Sequence, residues 1–431
     1  MRDDGPIWYP FTQMQLAPEP VQIVSGKGAL LFTADGNTII DAVSSWWTNI
    51  HGHAHPYIRQ KVHEQFGQLE HVIFAGFTHA PAMHLASRVT AMCGSDYTKM
   101  FFSDNGSTAV EVALKMALQY HQNLGAKKHR IIALEGSYHG DTFGSMSVSA
   151  RGAFTAAFHD KLFDVTYITP PLPGNEDICM QELEAALSEG DVAAFIYEPL
   201  IMGAGGMLMY TGMALDTMIY TAKQHGVLCI ADEVMTGFYR TGKFLAGHYA
   251  NHQPDIICLS KGITGGSMAL GVTICTQAIF MAFYSEDKMK ALYHGHSYTA
   301  NPLACAAANA SVDLCLQPGF DHALTTIASR HQHFTAALQV YSHSDIPVVK
   351  NIRQCGTVFA MDIVTSNDTG YFNSIRDMLY HFFMKRGVLL RPLGNTIYIM
   401  PPYCITNEAL DEVYNAILDA LALLAEGKTL Q

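Results

Sequence analysis

Two apolar runs of strand length, each delivering a charged side chain at its end, constrain this chain more than any other feature. Val227-Leu-Cys-Ile-Ala leads into Asp232, and Asp255-Ile-Ile-Cys-Leu-Ser leads into Lys261 just before a glycine-rich turn. Short apolar runs bounded by turn residues read as buried strands, of the kind found in parallel sheets covered by helices. A carboxylate at one strand end and a lone lysine at the next are what pyridoxal phosphate chemistry needs. The amine holds the aldehyde as a Schiff base. The carboxylate keeps the pyridine nitrogen protonated, so that the ring accepts electrons from a substrate carbanion. The plain alternative is an Asp capping a turn beside a solvated Lys, and the surrounding pattern weighs against it.

From about residue 56 to 294, helical patterns alternate with apolar strands such as Arg130-Ile-Ile-Ala-Leu and Ala193-Ala-Phe-Ile-Tyr. That alternation predicts an α/β fold with a mostly parallel central sheet covered by helices on both faces. Residues 1–55 carry short strand signals around an Asp35-Gly36-Asn37 turn and read as a β meander. From Asn301, an Ala-rich helix begins with Asn as cap and Pro302 in the first turn, and the remainder mixes helices with short strands. The expected organisation is a large domain over 56–300, with a small α+β domain built from 1–55 and 301–431.

The chain has 431 residues, 49% hydrophobic and 15% charged, with a net charge of −12. Such a chain can bury a large core, and part of its apolar surplus is expected to cover a subunit interface. The acidic balance offers no basic footprint for nucleic acid or anionic lipid. No apolar run is long enough to span a bilayer, and the opening Met1-Arg-Asp-Asp-Gly-Pro does not read as a signal peptide. Nine cysteines without a CxxC pair read as reduced, buried thiols, and the expected location is the cytosol. His51-Gly-His-Ala-His55 invites a metal reading, but it is turn-like, runs into Pro56 and shows no matching acidic partner nearby, so no metal is expected.

Other segments supply the parts of a site. Ser103-Asp-Asn-Gly-Ser107 opens a helix whose apolar positions recur at Val110, Leu114, Ala117 and Leu118, with Glu111 facing Lys115 four residues on. A Gly106-Ser107 turn at a helix N-terminus exposes N–H groups and a hydroxyl to an anion; taken alone it reads as an ordinary helix cap, and beside Asp232 and Lys261 a phosphate cradle is the favoured reading. Tyr138 stands at the end of the strand around residues 131–134, where an aromatic can stack on a flat ring. Ser44-Ser-Trp46-Trp47 holds two of the three tryptophans, and at least one of them is expected to line a cavity or interface. Arg391 follows an apolar strand, where a guanidinium can pair bidentately with a carboxylate.

Together these motifs resemble the class III aminotransferases of the fold type I pyridoxal phosphate enzymes, over essentially the whole chain. The residues that carry the resemblance include Ile7-Trp-Tyr-Pro-Phe-Thr, Ser44-Ser-Trp-Trp, Tyr138-His-Gly-Asp-Thr, Ile201-Met-Gly-Ala-Gly-Gly-Met, Asp232-Glu, Lys261 and Met400-Pro-Pro-Tyr. Ser-Ser-Trp-Trp and Met-Pro-Pro-Tyr are similar to the branch that aminates 8-amino-7-oxononanoate to 7,8-diaminononanoate in biotin biosynthesis, with S-adenosylmethionine as donor. The resemblance implies that Lys261 binds the cofactor and moves the proton, that Asp232 binds the pyridine nitrogen and that Tyr138 stacks on the ring and touches substrate. It further implies that Gly106 and Ser107 hold the phosphate, that Phe11 and Trp46 contact substrate and that Arg391 takes the keto-acid carboxylate. Arg240 and Asp141 are implied as supporting partners. A homodimer is implied too, in which Gly295, His296 and Ser297 of one subunit complete the neighbour's site, the last two at the phosphate. Phe11 replaces a tyrosine of the best-known adenosylmethionine users, and His296-Ser297 replaces Pro-Thr. Both features occur in lysine-using relatives, so lysine stands as an alternative donor. Another class III ω-aminotransferase, with Glu198 as partner of a switching arginine, also stays open, as does a non-catalytic binding protein of the same fold.

Overall fold

The computed structural model describes residues 5–343, 347–365, 373, 375–428 and 430. The N-terminal meander forms as expected, with β1 (Ile23–Lys27), β2 (Leu30–Thr33) and β3 (Thr38–Asp41) paired antiparallel. In chain order follow β4 (Tyr97–Ser103), β5 (Arg130–Leu134), β6 (Thr166–Ile168) and β7 (Val192–Tyr197). A two-residue pair, β8 (Ile201–Met202) and β9 (Leu208–Met209), then precedes β10 (Leu228–Asp232), β11 (Ile256–Leu259) and β12 (Gly271–Thr276).

Seven of these strands make one sheet in the order β4-β12-β11-β10-β7-β5-β6. The pairings from β11 through β10, β7 and β5 to β6 are parallel, and only β12 runs against its neighbours. Every residue of β7, β10 and β11 is buried, which is why those segments are apolar throughout rather than alternating. The helix Gly106–Asn123 packs its Val110, Ala113, Leu114 and Ala117 into a cluster with Ile131, Ile196, Ile230 and Ile256 of the sheet. Fold type I architecture follows from this mixed sheet with a parallel core and helical cover.

The C-terminal segment adds β13 (Val349–Cys355), β14 (Val358–Ile363), β15 (Val388–Leu389) and β16 (Thr396–Ile399). Strands β13, β14 and β16 form a sheet of their own, whereas β15 pairs parallel with β3. The two ends of the chain therefore share one four-stranded sheet. The helix Pro302–Cys315 starts as its sequence predicts, the Asn301 side chain accepting from the N–H of Leu303 and of Ala304 at 3.1 Å. It packs on the helices Pro56–Phe66 and Ala80–Cys93 and on the turn that carries Lys261.

Two local expectations change. Glu111 does not pair with Lys115: its carboxylate turns inward to Thr142, Gly144 and Ser145, while Lys115 Nζ donates to the Tyr293 carbonyl at 3.1 Å. Bonds formed away from water outweigh an exposed ion pair of small net value. The histidine run does have an acidic partner. His53 Nε2 lies 2.8 Å from Asp41 Oδ2, whereas His51 turns into the core against Ser311.

Candidate active site

Strands β10 and β11 lie side by side in register, Asp232 opposite Cys258, so Asp232 and Lys261 leave the same end of the sheet. Beyond that end opens a cleft of about 970 Å³. Asp232, Lys261, Tyr138, Gly106, Ser107, Phe11, Trp46 and Arg391 all line it, although they come from every third of the sequence.

Asp232 is held from two sides. Its Oδ2 lies 2.7 Å from His139 Nδ1, and its Oδ1 accepts the Val234 N–H at 3.1 Å. His139 is buried beside it, and its Nε2 finds no partner among the described residues. Lys261 opens a tight turn with φ at +44°, and its Nζ stands 4.4 Å from the centroid of the Trp47 ring. Burial pushes the Lys261 amine down to about 8, against the opposing pull of Asp232 and Glu198. Burial also pushes the Glu198 carboxyl up to about 7, with His139 opposing. Glu198 is fixed by the N–H groups of Tyr138 and Gly203, each at 2.9 Å. These bonds hold it in place at the strand end. Burial, reinforced by Asp141, raises the Tyr138 phenol.

The Gly106–Asn123 helix begins at Asn105, whose side chain caps Thr108 in a reciprocal box. The N–H groups of Gly106 and Ser107 belong to the first turn, which has no intrahelical acceptors for them, and both residues line the cleft. Ser107 Oγ lies 2.8 Å from Thr142 Oγ1 and accepts the Thr142 N–H at 3.0 Å. Only glycine fits at position 140, where φ is +130° and a Cβ would collide with Ser107 Oγ. A concave set of N–H and hydroxyl donors at a helix start is the chemistry a phosphate requires, and the residues present fit one.

Opposite the cradle, Ser44, Ser45 and Trp47 all have positive φ, an uncommon conformation for residues with side chains. Asp41 holds this turn through the N–H groups of Val43 and Ser45, and Trp47 Nε1 donates to Tyr398 Oη at 3.0 Å. Buried Arg240 bonds the carbonyls of Pro401 and Trp47, tying the turn to the Met400-Pro-Pro-Tyr segment. Both tryptophans line the cleft as a result, Trp47 against the lysine and Trp46 farther out. Phe11 meets Trp46 edge-on at 5.7 Å between centroids and Phe154 at 5.8 Å. The Arg391 guanidinium lies 4.8 Å from the Trp46 ring.

Gly295, His296 and Ser297 do not line the cleft of their own chain. His296 packs in a turn closed by Thr299, and its buried Nε2 has no partner among the described residues. Sequence reasoning missed Trp47 as the neighbour of Lys261, His139 behind Asp232, and Phe154. His139 lies inside the Tyr138-His-Gly-Asp-Thr motif, but only the fold shows which carboxylate it meets. Among the described residues no group of three or more His, Cys, Asp or Glu is placed to hold a metal ion, and no helix is long and apolar enough to cross a membrane.

Comparison with known proteins agrees with this geometry. The aminotransferase class-III family model matches residues 13–421. A Synechococcus elongatus protein named adenosylmethionine-8-amino-7-oxononanoate aminotransferase is 47% identical, over 96% of this chain and 98% of its own length. A Geobacter sulfurreducens protein of the same name is 36% identical, over 98% and 96%. Among solved structures, the Methanocaldococcus jannaschii protein of that name superposes with a TM-score of 0.88 at 32% identity, covering 97% of this chain and 98% of that one. An amine transaminase of an uncultivated Pseudomonas species, in its PLP-bound form, gives 0.90 at 29% identity with the same coverage.

Proposed function

The chain belongs to the class III aminotransferases, and we propose that it uses pyridoxal phosphate to aminate 8-amino-7-oxononanoate to 7,8-diaminononanoate in biotin biosynthesis, with S-adenosylmethionine as donor. One observation carries the reading: the Asp232 and Lys261 pair shares its cleft with an aromatic wall, Phe11 and Trp46, that ends on Arg391. The keto acid is a long apolar chain with a carboxylate at one end, and it asks for such a wall and one cation.

Pyridoxal phosphate, when bound, supplies a ring that accepts the electrons left on the amino-bearing carbon of a substrate after its proton departs. Lys261 Nζ would be the group that holds the aldehyde and, when free of it, the base that moves a proton at the amino-bearing carbon. An amine with its pKa near 8 is suited to both tasks, since part of it is neutral near pH 7. Asp232 keeps a proton on the pyridine nitrogen, in an orientation set by His139 and the Val234 N–H. The Ser107 hydroxyl and the N–H groups of Gly106 and Ser107 bind the phosphate. Tyr138 lines the cleft where it would cover the ring, and Trp47, against the lysine, would keep water from it. Arg391 takes the keto-acid carboxylate bidentately.

The working unit is proposed to be a cytosolic homodimer in which Gly295, His296 and Ser297 of a second copy reach this cleft. Their position away from their own cleft supports that arrangement. The large domain is taken as 56–300 and the small one as 1–55 with 301–431. Lysine as donor is the second reading, and Phe11, whose ring has no hydroxyl to offer the donor, favours it. The test is to supply the purified protein and its keto acid with S-adenosylmethionine, lysine, glutamate or 4-aminobutyrate and to measure 7,8-diaminononanoate. Product with S-adenosylmethionine is expected. Product with lysine alone replaces the donor, and none with any donor rejects the substrate.

A further inference from the structure

Glu111 sits one helical turn after Ser107 on the same face of the helix Gly106–Asn123. Its Oε1 accepts three hydrogen bonds: from Thr142 Oγ1 at 2.5 Å, from the Gly144 N–H at 2.7 Å and from the Ser145 N–H at 3.0 Å. Thr142 has one hydroxyl proton, and the carboxylate takes it, since the competing contact to Ser145 Oγ is 3.3 Å. Towards Ser107, then, Thr142 Oγ1 can only accept. The Thr142 N–H fixes the same Ser107 oxygen from the other side. Ser145 closes the ring by donating its hydroxyl to the Ser107 carbonyl at 2.7 Å. The chain makes room for this approach with a glycine: a Cβ on Gly144 would collide with the Glu111 carboxylate.

From this geometry we propose that Glu111 is a positioning residue for the cofactor phosphate. Through Thr142 and the 142–145 turn it fixes the Ser107 oxygen against the helix start. Because Thr142 donates its proton to Glu111, the one proton left between the two hydroxyls belongs to Ser107 and turns to the phosphate when the anion arrives. Glu111 itself touches no phosphate. Its work is geometric, because all three bonds fall on one oxygen that a glutamine carbonyl can replace. The proposal rests on the pyridoxal phosphate reading above and adds a residue to it.

The experiment compares apoprotein of the wild type with Glu111→Ala, Glu111→Gln and Thr142→Val. Dissociation constants are measured for pyridoxal phosphate, for pyridoxal (the same aldehyde without the phosphate) and for inorganic phosphate. Glu111→Ala is expected to weaken pyridoxal phosphate and inorganic phosphate by about tenfold or more, the scale of one or two lost buried hydrogen bonds, while pyridoxal changes little. Glu111→Gln is expected to restore both to within about threefold of wild type, losing only the hydrogen bonds of a charged acceptor. Thr142→Val keeps the two turn N–H bonds to Glu111, so it is the variant that decides if Glu111→Ala does not fold, and it should show the same phosphate-selective loss. Equal losses for pyridoxal and pyridoxal phosphate, no loss in either variant, or a Gln variant as weak as Ala overturns the proposal. A wild type that binds no pyridoxal phosphate would instead reject the cofactor reading, and the inorganic phosphate measurements would still decide the role of Glu111.

Discussion

The guanidinium of Arg391 rests 4.8 Å from the centre of the Trp46 ring, which joins a cation of the cleft lining to the more exposed of its two indoles. A cation against an aromatic face is held in place yet keeps its N–H fork free for a carboxylate. Arg391→Ala should therefore lower kcat/KM for the keto acid by roughly 30- to 1,000-fold, the scale of a lost charge-assisted pair. The half-reaction with S-adenosylmethionine should change much less. Single-turnover rates for each half-reaction separate the two, and equal losses in both would remove Arg391 from the keto-acid site.

Asp232→Asn tests the electron sink. An amide cannot hold the pyridine nitrogen protonated, and it also exchanges a carboxylate for a neutral partner at His139 Nδ1. We expect kcat to fall by roughly 100-fold or more, with the cofactor still retained by its phosphate. Absorbance spectra and turnover, measured on one preparation, check both halves. Full activity would make Asp232 structural.

Lysine 261 should impose a pH dependence on cofactor capture. Only the neutral amine attacks an aldehyde, and burial lowers its pKa from an ordinary 10.5 to about 8. The neutral fraction therefore rises with pH up to about 8 and then levels. Stopped-flow mixing of apoprotein with pyridoxal phosphate should show rates climbing about tenfold per pH unit below 7.5 and reaching a plateau above 8.5. Lys261→Ala should abolish both the yellow colour and turnover. A rate still climbing steeply at pH 9.5 would mean that the amine is not depressed.

Away from the site, His331 should make stability pH-dependent. It is buried, bonded to Tyr414 Oη at 2.8 Å and to the Thr357 carbonyl at 3.1 Å, and burial lowers its pKa to about 4. Its folded pKa lies below the unfolded 6.5, so between about 6.5 and 4 the unfolded chain binds more protons and stability is lost as the pH falls. Glu198 and Glu233, pushed up to about 7 by burial, act in the opposite sense as the pH falls from 7 towards 4.5. The difference between wild type and His331→Gln isolates the histidine. Although the variant starts less stable, its apoprotein Tm should fall less steeply from pH 6.5 to 5. Parallel slopes would refute the assignment.

Local pattern alone determined a good part of this protein. Apolar runs of strand length located β7, β10 and β11, because strands buried on both faces must be apolar at every position. Asn301 marked a helix start, because a capping side chain and the N–H it satisfies lie within three residues of each other. Asp232 and Lys261 were legible for the same reason, each being fixed by the strand that precedes it. The tertiary structure alone decided which side chains meet. Trp47 stands against Lys261, Arg391 against Trp46 and His139 against Asp232, and no periodicity links members of those pairs. Glu111 shows the limit most clearly. Its spacing to Lys115 promised a surface pair, but a neighbouring turn brought three donors to one oxygen out of water, and those bonds outweigh a solvated charge.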